Sequence, residues 1–505
     1  MQANATVAIA PDKAFYRPGE PATFLITARG EARAEATITH LTQTVAVLEV
    51  IIEDGSAVLT WTPPPQAPRG YGLTVRLFDG DRTVANASTA FDVLERWTQA
   101  PRYGFLSEFG PGRDDAQATM DWLARYHING LQFYDWQYRH EALLPPAGEY
   151  TDLLGRRLAM GTVERLIAAA HAHHIAAMPY TAIYGASPPF YREHPDWALF
   201  QPTGQPFEFG DGLLYIMDPT PGSPWNEHLL REFARVLERT DFDGIHIDQY
   251  GAPKVARNRA GQRVDLAAVF PAFVNQTAAL VQEWRGESGA VIFNAVGNWP
   301  VDTVAAANQE AVYIEVWEPY RDFMDLHRLI AHAQRQSGGK PVILAAYLHP
   351  DHSHNVRLAD AIVFASGGFH LELGESRAML ADPYFPRFGV MDEALQDVMR
   401  HYYDFLVRYE EVLSAGTGDA TGERASALSI DGIETRSLPS RDRVAVIVRQ
   451  GQDREAFSLV NLVGIGGGHW AEPLAKGPDP LGSLAVQIHT CRPVAYAWWA
   501  SPDRG

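Results

Sequence analysis

Asp248 and Glu315 each close a short apolar, β-branched run, Phe242 to Tyr250 and Val312 to Glu318, and each stands beside aromatic residues. Two carboxyl groups delivered to one place can split a glycosidic bond without a metal. One protonates the departing oxygen, and the other stabilises or captures the oxocarbenium-like centre. Their separation decides the stereochemistry, about 5–5.5 Å for retention and about 6.5–9.5 Å for inversion, and the sequence does not fix it. A lone strand-end carboxylate is as readily a salt bridge or a helix cap. Two of them on non-adjacent strands of one barrel face, both flanked by rings, favour the catalytic reading.

Sugar rings stack their apolar faces on Trp and Tyr, while their hydroxyls need hydrogen-bonding partners. Trp136, Tyr184, Tyr215, Tyr250, Trp299, Trp317, Tyr320 and Tyr347 fall at or just beyond the ends of strand-like runs, half of them as expected packing residues. Asp135, Asn294, His370 and Glu372 are the candidates for gripping hydroxyls. The i, i+2 spacing of His370 and Glu372 puts both on one strand face, either in the barrel mouth or as a buried structural pair.

These residues need a scaffold that brings strand ends together. From about residue 101, short apolar strands alternate with helical stretches, the pattern of βα units around a parallel sheet. Candidate strands run from Tyr103 to Glu108, Leu131 to Trp136, Ile175 to Tyr184, Gly244 to Gln249, Val291 to Val296, Val312 to Trp317, Pro341 to Tyr347 and Phe369 to Leu373. Eight strands make a (β/α)₈ TIM barrel, whose chemistry sits at the C-terminal strand ends. Helical periodicity falls at Asp115 to Tyr126, Thr162 to His174, Trp225 to Arg239 and Leu266 to Arg285, with one long terminal helix from Glu393 to Leu413. Before the barrel, residues 1–97 read as an immunoglobulin-like β-sandwich, with turn chemistry at Arg17-Pro18-Gly19, Asp54-Gly55 and Asp79-Gly80 and a loop at Pro63-Pro64-Pro65. After it, residues 414–505 read as a C-terminal antiparallel β-domain, with glycines at 464 and 466–468 as punctuation. The expected division is therefore 1–97, 98–413 and 414–505.

Composition narrows the function. The 505 residues, 46% hydrophobic, are enough for more than one core, and a net charge of −19 repels a polyphosphate backbone, so nucleic acid is excluded as a partner. No apolar run of about 18 residues offers a membrane span. The start lacks a basic segment followed by an apolar one, so no signal peptide is expected there. The sole cysteine, Cys491, offers neither an internal disulfide nor a zinc cluster.

Several blocks in order resemble glycoside hydrolase family 66, which holds dextranases and cycloisomaltooligosaccharide glucanotransferases. They are Asn129 to Tyr138, Ala182-Ile183-Tyr184, Phe242-Asp243-Gly244 with Asp248, Phe293 to Val296, Tyr313 to Trp317, Ala345-Ala346-Tyr347 and Ala365 to Gly374. The chain departs from the expected pattern in placing His246 and Ile247 before Asp248, and in the histidine-rich stretch from His349 to His354. The resemblance implies a secreted, retaining endo-hydrolase of α-1,6-linked glucan or isomaltooligosaccharides, needing no cofactor. Asp248 would be its nucleophile, Glu315 its acid/base and Asp322 a further acidic residue near the centre. It also implies the same sandwich, barrel and terminal β-domain.

Three rivals compete. A Schiff-base aldolase needs a lysine at a strand's C-terminal end, and Lys13, Lys254, Lys340 and Lys476 all fall elsewhere. A metal-dependent hydrolase is suggested by His349, Asp351, His352 and His354, and by His171, His173 and His174 on a helix expected at the surface, yet no HExxH occurs. A non-catalytic glucan-binding protein would have no need of both strand-end carboxylates. Within the family, the cyclising enzymes carry an inserted carbohydrate-binding module, for which Gly185 to Asp243 leaves no room, so hydrolysis is favoured over cyclising transfer.

Overall fold

Eight runs of buried, largely apolar residues pair side by side in parallel and in chain order. The computed structural model describes residues 6–30, 32–437, 442–465, 469–490 and 492–503. The chain start at 1–5, the glycine turn at 466–468 and Cys491 lie outside them. The strands are β1 (Tyr103–Leu106), β2 (Gly130–Phe133), β3 (Ala176–Ala182), β4 (Gly244–Asp248), β5 (Ala290–Val296), β6 (Ala311–Glu315), β7 (Val342–Ala345) and β8 (Phe369–His370). Continuous apolar runs are what a parallel sheet covered on both faces requires. The amide of Phe105 donates to Leu373 O at 3.1 Å, closing β1 onto the segment after β8.

Helices alternate with the strands: α1 (Ala116–Ala124), α2 (Met160–Ala172), α3 (Pro224–Arg239), α4 (Leu266–Arg285), the single turn α5 (Val301–Val304), α6 (Phe323–Ser337), α7 (Ser353–Ala365) and α8 (Glu393–Arg408). Ser223 caps α3 by accepting from Asn226 N at 3.1 Å, with Pro224 in the first turn where its missing N–H costs nothing. The expected single helix from Glu393 to Leu413 is two. Tyr409 (φ −115°, ψ 19°) ends α8, and a separate turn, Glu410–Leu413, carries Glu410 inward towards Arg102.

Strand pitch explains one glycine that matters to the site. A Cβ on Gly244 would lie 1.8 Å from Ala290 O, so only glycine lets the start of β4 approach β5. Gly244→Ala is expected to destabilise the protein by about 3 kcal/mol through forced separation of these strands. Thermal unfolding measures it, and a melting temperature equal to that of the unsubstituted protein would contradict it.

Before the barrel, seven strands form two antiparallel sheets. One pairs Val7–Pro11, Ala22–Ala28 and Ser56–Trp61, and the other orders Gln43–Ile52, Ala32–His40, Arg69–Asp79 and Arg82–Val93. Phe24, Tyr71, Leu73, Val75 and Phe91 fill the space between them, and Pro63 to Pro65 lie in a loop as expected. This sandwich is fastened to the barrel by buried charge. Arg102 donates to Asp92 at 2.8 and 3.2 Å, and Glu410 stands 3.9 Å away. Burial, together with the Asp92 charge, holds Glu410 well above the usual carboxylate range. Asp404 on α8 accepts from Ala90 N at 3.0 Å and contacts His127 at 2.8 Å.

After the barrel, Val444–Gln450 is the centre of a small sheet. It pairs antiparallel with Gly418–Asp419 and Glu455–Asn461 but parallel with Thr435–Arg436, so the expected all-antiparallel domain is mixed. Alternation along the central strand sends Val444, Val446 and Val448 to a local core and Ala445 and Ile447 to the barrel core. Among the described residues no helix is long and apolar enough to cross a membrane.

Candidate active site

β4, β5 and β6 are neighbours, and their C-terminal ends carry Asp248, Asn294 and Glu315. Asn294 Nδ2 donates to Asp248 Oδ1 at 2.7 Å and to Glu315 Oε2 at 2.9 Å. Because one nitrogen reaches both, those oxygens are no farther apart than the two distances laid end to end, about 5.6 Å. The other oxygen of each acid is held by a phenol: Tyr180 Oη donates to Asp248 Oδ2 at 2.7 Å, and Tyr347 Oη to Glu315 Oε1 at 2.5 Å. Trp317, two residues after Glu315, also favours the ionised form of that carboxyl group. Asn294 Oδ1 is buried with no protein partner, which leaves an acceptor free for a hydroxyl.

Both carboxyl groups are harder to ionise than in water. Burial, reinforced by the Glu315 charge, pushes Asp248 up to about 7, against the hydrogen bonds from Tyr180, Asn294 and the Gln249 amide. Burial also raises Glu315, against Tyr347, Asn294 and Trp317. Burial and mutual repulsion both oppose ionising the two groups together, so the pair resists carrying two negative charges.

The floor beneath Asp248 is aromatic. His246 points the same way as Asp248 by strand alternation. It lies between Tyr103, with centroids 5.9 Å apart and planes at 14°, and Tyr180, at 6.4 Å and 22°, while Tyr313 meets it edge-on at 5.0 Å. Burial drives the imidazole down to about 3, so it is neutral and adds no charge below Asp248.

The model of glycosyl hydrolase family 66 matches residues 11–505. The chain belongs to glycosyl hydrolase family 66. This family 66 chain is 24% identical to a cycloisomaltooligosaccharide glucanotransferase of Niallia circulans, over 97% of its length and 67% of the relative's. It is 23% identical to a dextranase of Streptococcus salivarius, over 83% of its length and 60% of the relative's. It therefore spans about two thirds or less of these curated relatives. Among solved structures, the Paenibacillus sp. cycloisomaltooligosaccharide glucanotransferase complexed with cycloisomaltoheptaose superposes with a TM-score of 0.92 at 21% identity, covering 99% of this chain and 95% of that one. At that identity the likeness speaks to fold.

Around the pair, the family 66 chain distributes the candidate residues unevenly. Tyr347 and Trp317 border Glu315, with ring centroids 6.0 Å apart. Tyr250 is half-buried beyond Asp248 and stacks on Phe209 at 4.2 Å. Asp135 lies at the end of β2 with Arg156 3.6 Å away, and burial raises it to about 6. Three candidates turn inward instead. Trp136 is fully buried, its indole N–H donating to Tyr180 O at 3.3 Å and its ring edge-on to Phe242. Tyr184 is also fully buried and accepts from Tyr250 N at 2.7 Å, so it shapes the loop after β4 rather than offering a face to a sugar. Trp299 packs edge-on against Phe270.

His370 and Glu372 form the buried pair rather than part of the mouth. His370 Nδ1 meets Asp360 of α7 at 2.8 Å and Nε2–H donates to Ala346 O at 3.0 Å, while Glu372 accepts from Tyr403 of α8 at 3.0 Å. Their shared strand face looks outward to the helices, which is why parity alone misplaces them. Asp322 is the N-cap of α6, in a capping box with Asp325, and contacts His469 at 3.7 Å rather than Asp248 or Glu315. The histidines of the 349–354 stretch do not gather: among the described residues, only Asp360, His370 and Glu372 bring ligand atoms within 4.8 Å of one another. On α2, His173 is buried against Asp121 at 2.8 Å, not on the surface as expected. Tyr320 lends its carbonyl to Trp470, and Tyr215 stacks on Tyr191.

Two site residues escape the sequence reading. Tyr180 lies inside β3, and the need of a buried phenol for a partner was the signal available. Tyr134, half-buried and stacked on Phe385 at 4.2 Å, feels the charges of Asp248 and Glu315.

Proposed function

We propose that this protein is a retaining endo-glycoside hydrolase that cleaves α-1,6-glucosidic linkages of dextran or isomaltooligosaccharides. The observation that carries the reading is the Asn294 amide bridging both carboxylates, because a bound of about 5.6 Å suits the retaining spacing and leaves no place for an inverting water. Asp248 attacks the anomeric carbon while Glu315 gives its proton to the departing glycosidic oxygen. Glu315, now ionised, then takes a proton from water, whose oxygen displaces Asp248 from the same carbon. The substrate class follows from the names of the relatives. The same covalent intermediate serves a second reading, cyclising transfer, favoured by the fold shared with the Paenibacillus enzyme.

Chromatography of the products from dextran tests this: linear oligosaccharides support hydrolysis, cyclic ones support transfer, and no product refutes both. A polymer of this kind does not cross a membrane, so the reading places the protein outside the cell. With it goes the three-domain division at 1–97, 98–413 and 414–505, the first domain being read as immunoglobulin-like.

One consequence is a pH effect at Tyr347. Its O–H favours the ionised form of Glu315. Tyr347→Phe removes that donor, Glu315 keeps its proton to higher pH, and the alkaline limb of the kcat/KM profile moves upward. A limb that stays in place or moves down contradicts the assignment of Glu315 as the acid.

A further inference from the structure

Trp317 is 42% exposed at the mouth of the barrel, an unusual position for the largest apolar side chain. It follows Glu315 by two residues, and its ring lies 6.0 Å from that of Tyr347, whose hydroxyl holds the same carboxyl group at 2.5 Å. The rings on the Asp248 side are different ones: Tyr180 holds Asp248, and Tyr134 lies 5.1 Å from Tyr180. An acid that protonates the glycosidic oxygen must face the leaving group. An exposed ring packed beside the tyrosine that holds that acid therefore borders the subsite that the leaving sugar vacates and that the next acceptor enters.

We propose that Trp317 is the acceptor-side platform that sets how the glycosyl-enzyme divides between water and a sugar hydroxyl. This rests on the functional reading above. In transfer, the acceptor's O–H loses its proton to Glu315 as its oxygen bonds to the anomeric carbon, and the bond from that carbon to Asp248 breaks. Water undergoes the same exchange. A sugar stacked on Trp317 holds its hydroxyl at the reacting carbon and excludes water from that place, which is the advantage of proximity.

The test uses α-isomaltotriosyl fluoride as donor and isomaltose as acceptor. Fluoride release counts every glycosyl-enzyme formed, free isomaltotriose counts interception by water, and the longer oligosaccharide counts transfer. The ratio of transfer to hydrolysis is internal to each variant, whatever its total rate. Trp317→Ala is expected to lower that ratio about tenfold. Trp317→Phe, which keeps a flat ring and loses only the N–H, is expected to hold it near that of the unsubstituted protein. An unchanged ratio in Trp317→Ala, or a fall in Trp317→Phe as large as in Trp317→Ala, overturns the platform while leaving the hydrolase reading intact. Absence of both fluoride release and dextran cleavage in the unsubstituted protein overturns the reading and the platform together.

Discussion

Asp248→Asn and Glu315→Gln are each expected to lower dextran hydrolysis by about 10⁴-fold while leaving the melting temperature within a few degrees of the unsubstituted protein. Asp248→Asn deletes the group that forms the glycosyl-enzyme, and Glu315→Gln deletes the proton given to a poor leaving group. Added azide separates the two roles. In an Asp248→Gly variant, azide attacks the α-linked anomeric carbon in place of the carboxylate, inverts it once and yields a β-glycosyl azide. In a Glu315→Ala variant given an activated donor, azide intercepts the glycosyl-enzyme, inverts it a second time and yields the α-azide. Exchange of those two products would reverse the roles, and near-normal turnover in either amide variant would remove the pair from the chemistry.

Asn294→Ala is expected to lower kcat/KM by about 10²- to 10⁴-fold, because it withdraws two hydrogen bonds to carboxyl groups, each worth about 1.5–3 kcal/mol. Both contacts come from one nitrogen, at 2.7 and 2.9 Å, so a single substitution releases both acids. The pH profile should change as well. The amide favours ionised Asp248, so without it the carboxyl rises from about 7, the nucleophile stays protonated to higher pH, and the acid limb moves upward. Asn294→Asp should be the more damaging variant, since it places a third carboxylate between two that already resist sharing their charge. A kcat/KM within threefold of the unsubstituted protein for Asn294→Ala would show that the bridge is incidental.

Much of the scaffold is legible in the sequence because a parallel barrel writes itself as buried apolar runs. Every one of the eight expected strands has its counterpart, and the differences fall at the C-terminal ends, where Asp135, Trp136, Tyr184 and Trp317 have already left the sheet. Those are the positions where periodicity stops carrying information. A ring two or three residues past a strand can turn towards the cleft, as Trp317 does, or fold beneath it, as Trp136 and Tyr184 do, and the choice depends on what the next loop leaves open. The same limit applies to His370 and Glu372. Their spacing reports a shared face, whereas Asp360 and Tyr403, contributed by two distant helices, decide which face it is. Tyr180 is the converse case: nothing in a run of strand residues marks one phenol as the partner of an acid 68 positions later.

Arg102 carries a consequence for engineering. Its guanidinium enters the barrel layer only because Asp92, ten residues earlier and in the sandwich, neutralises it there. Excising the barrel at residue 97 would remove the Asp92 carboxylate and leave the guanidinium to the His127 and Ala100 carbonyls and the reluctant Glu410, and breaking such a buried pair costs about 3–5 kcal/mol. The catalytic unit is therefore not portable at that seam, and fusions or chimaeras built from it should carry the preceding strands along.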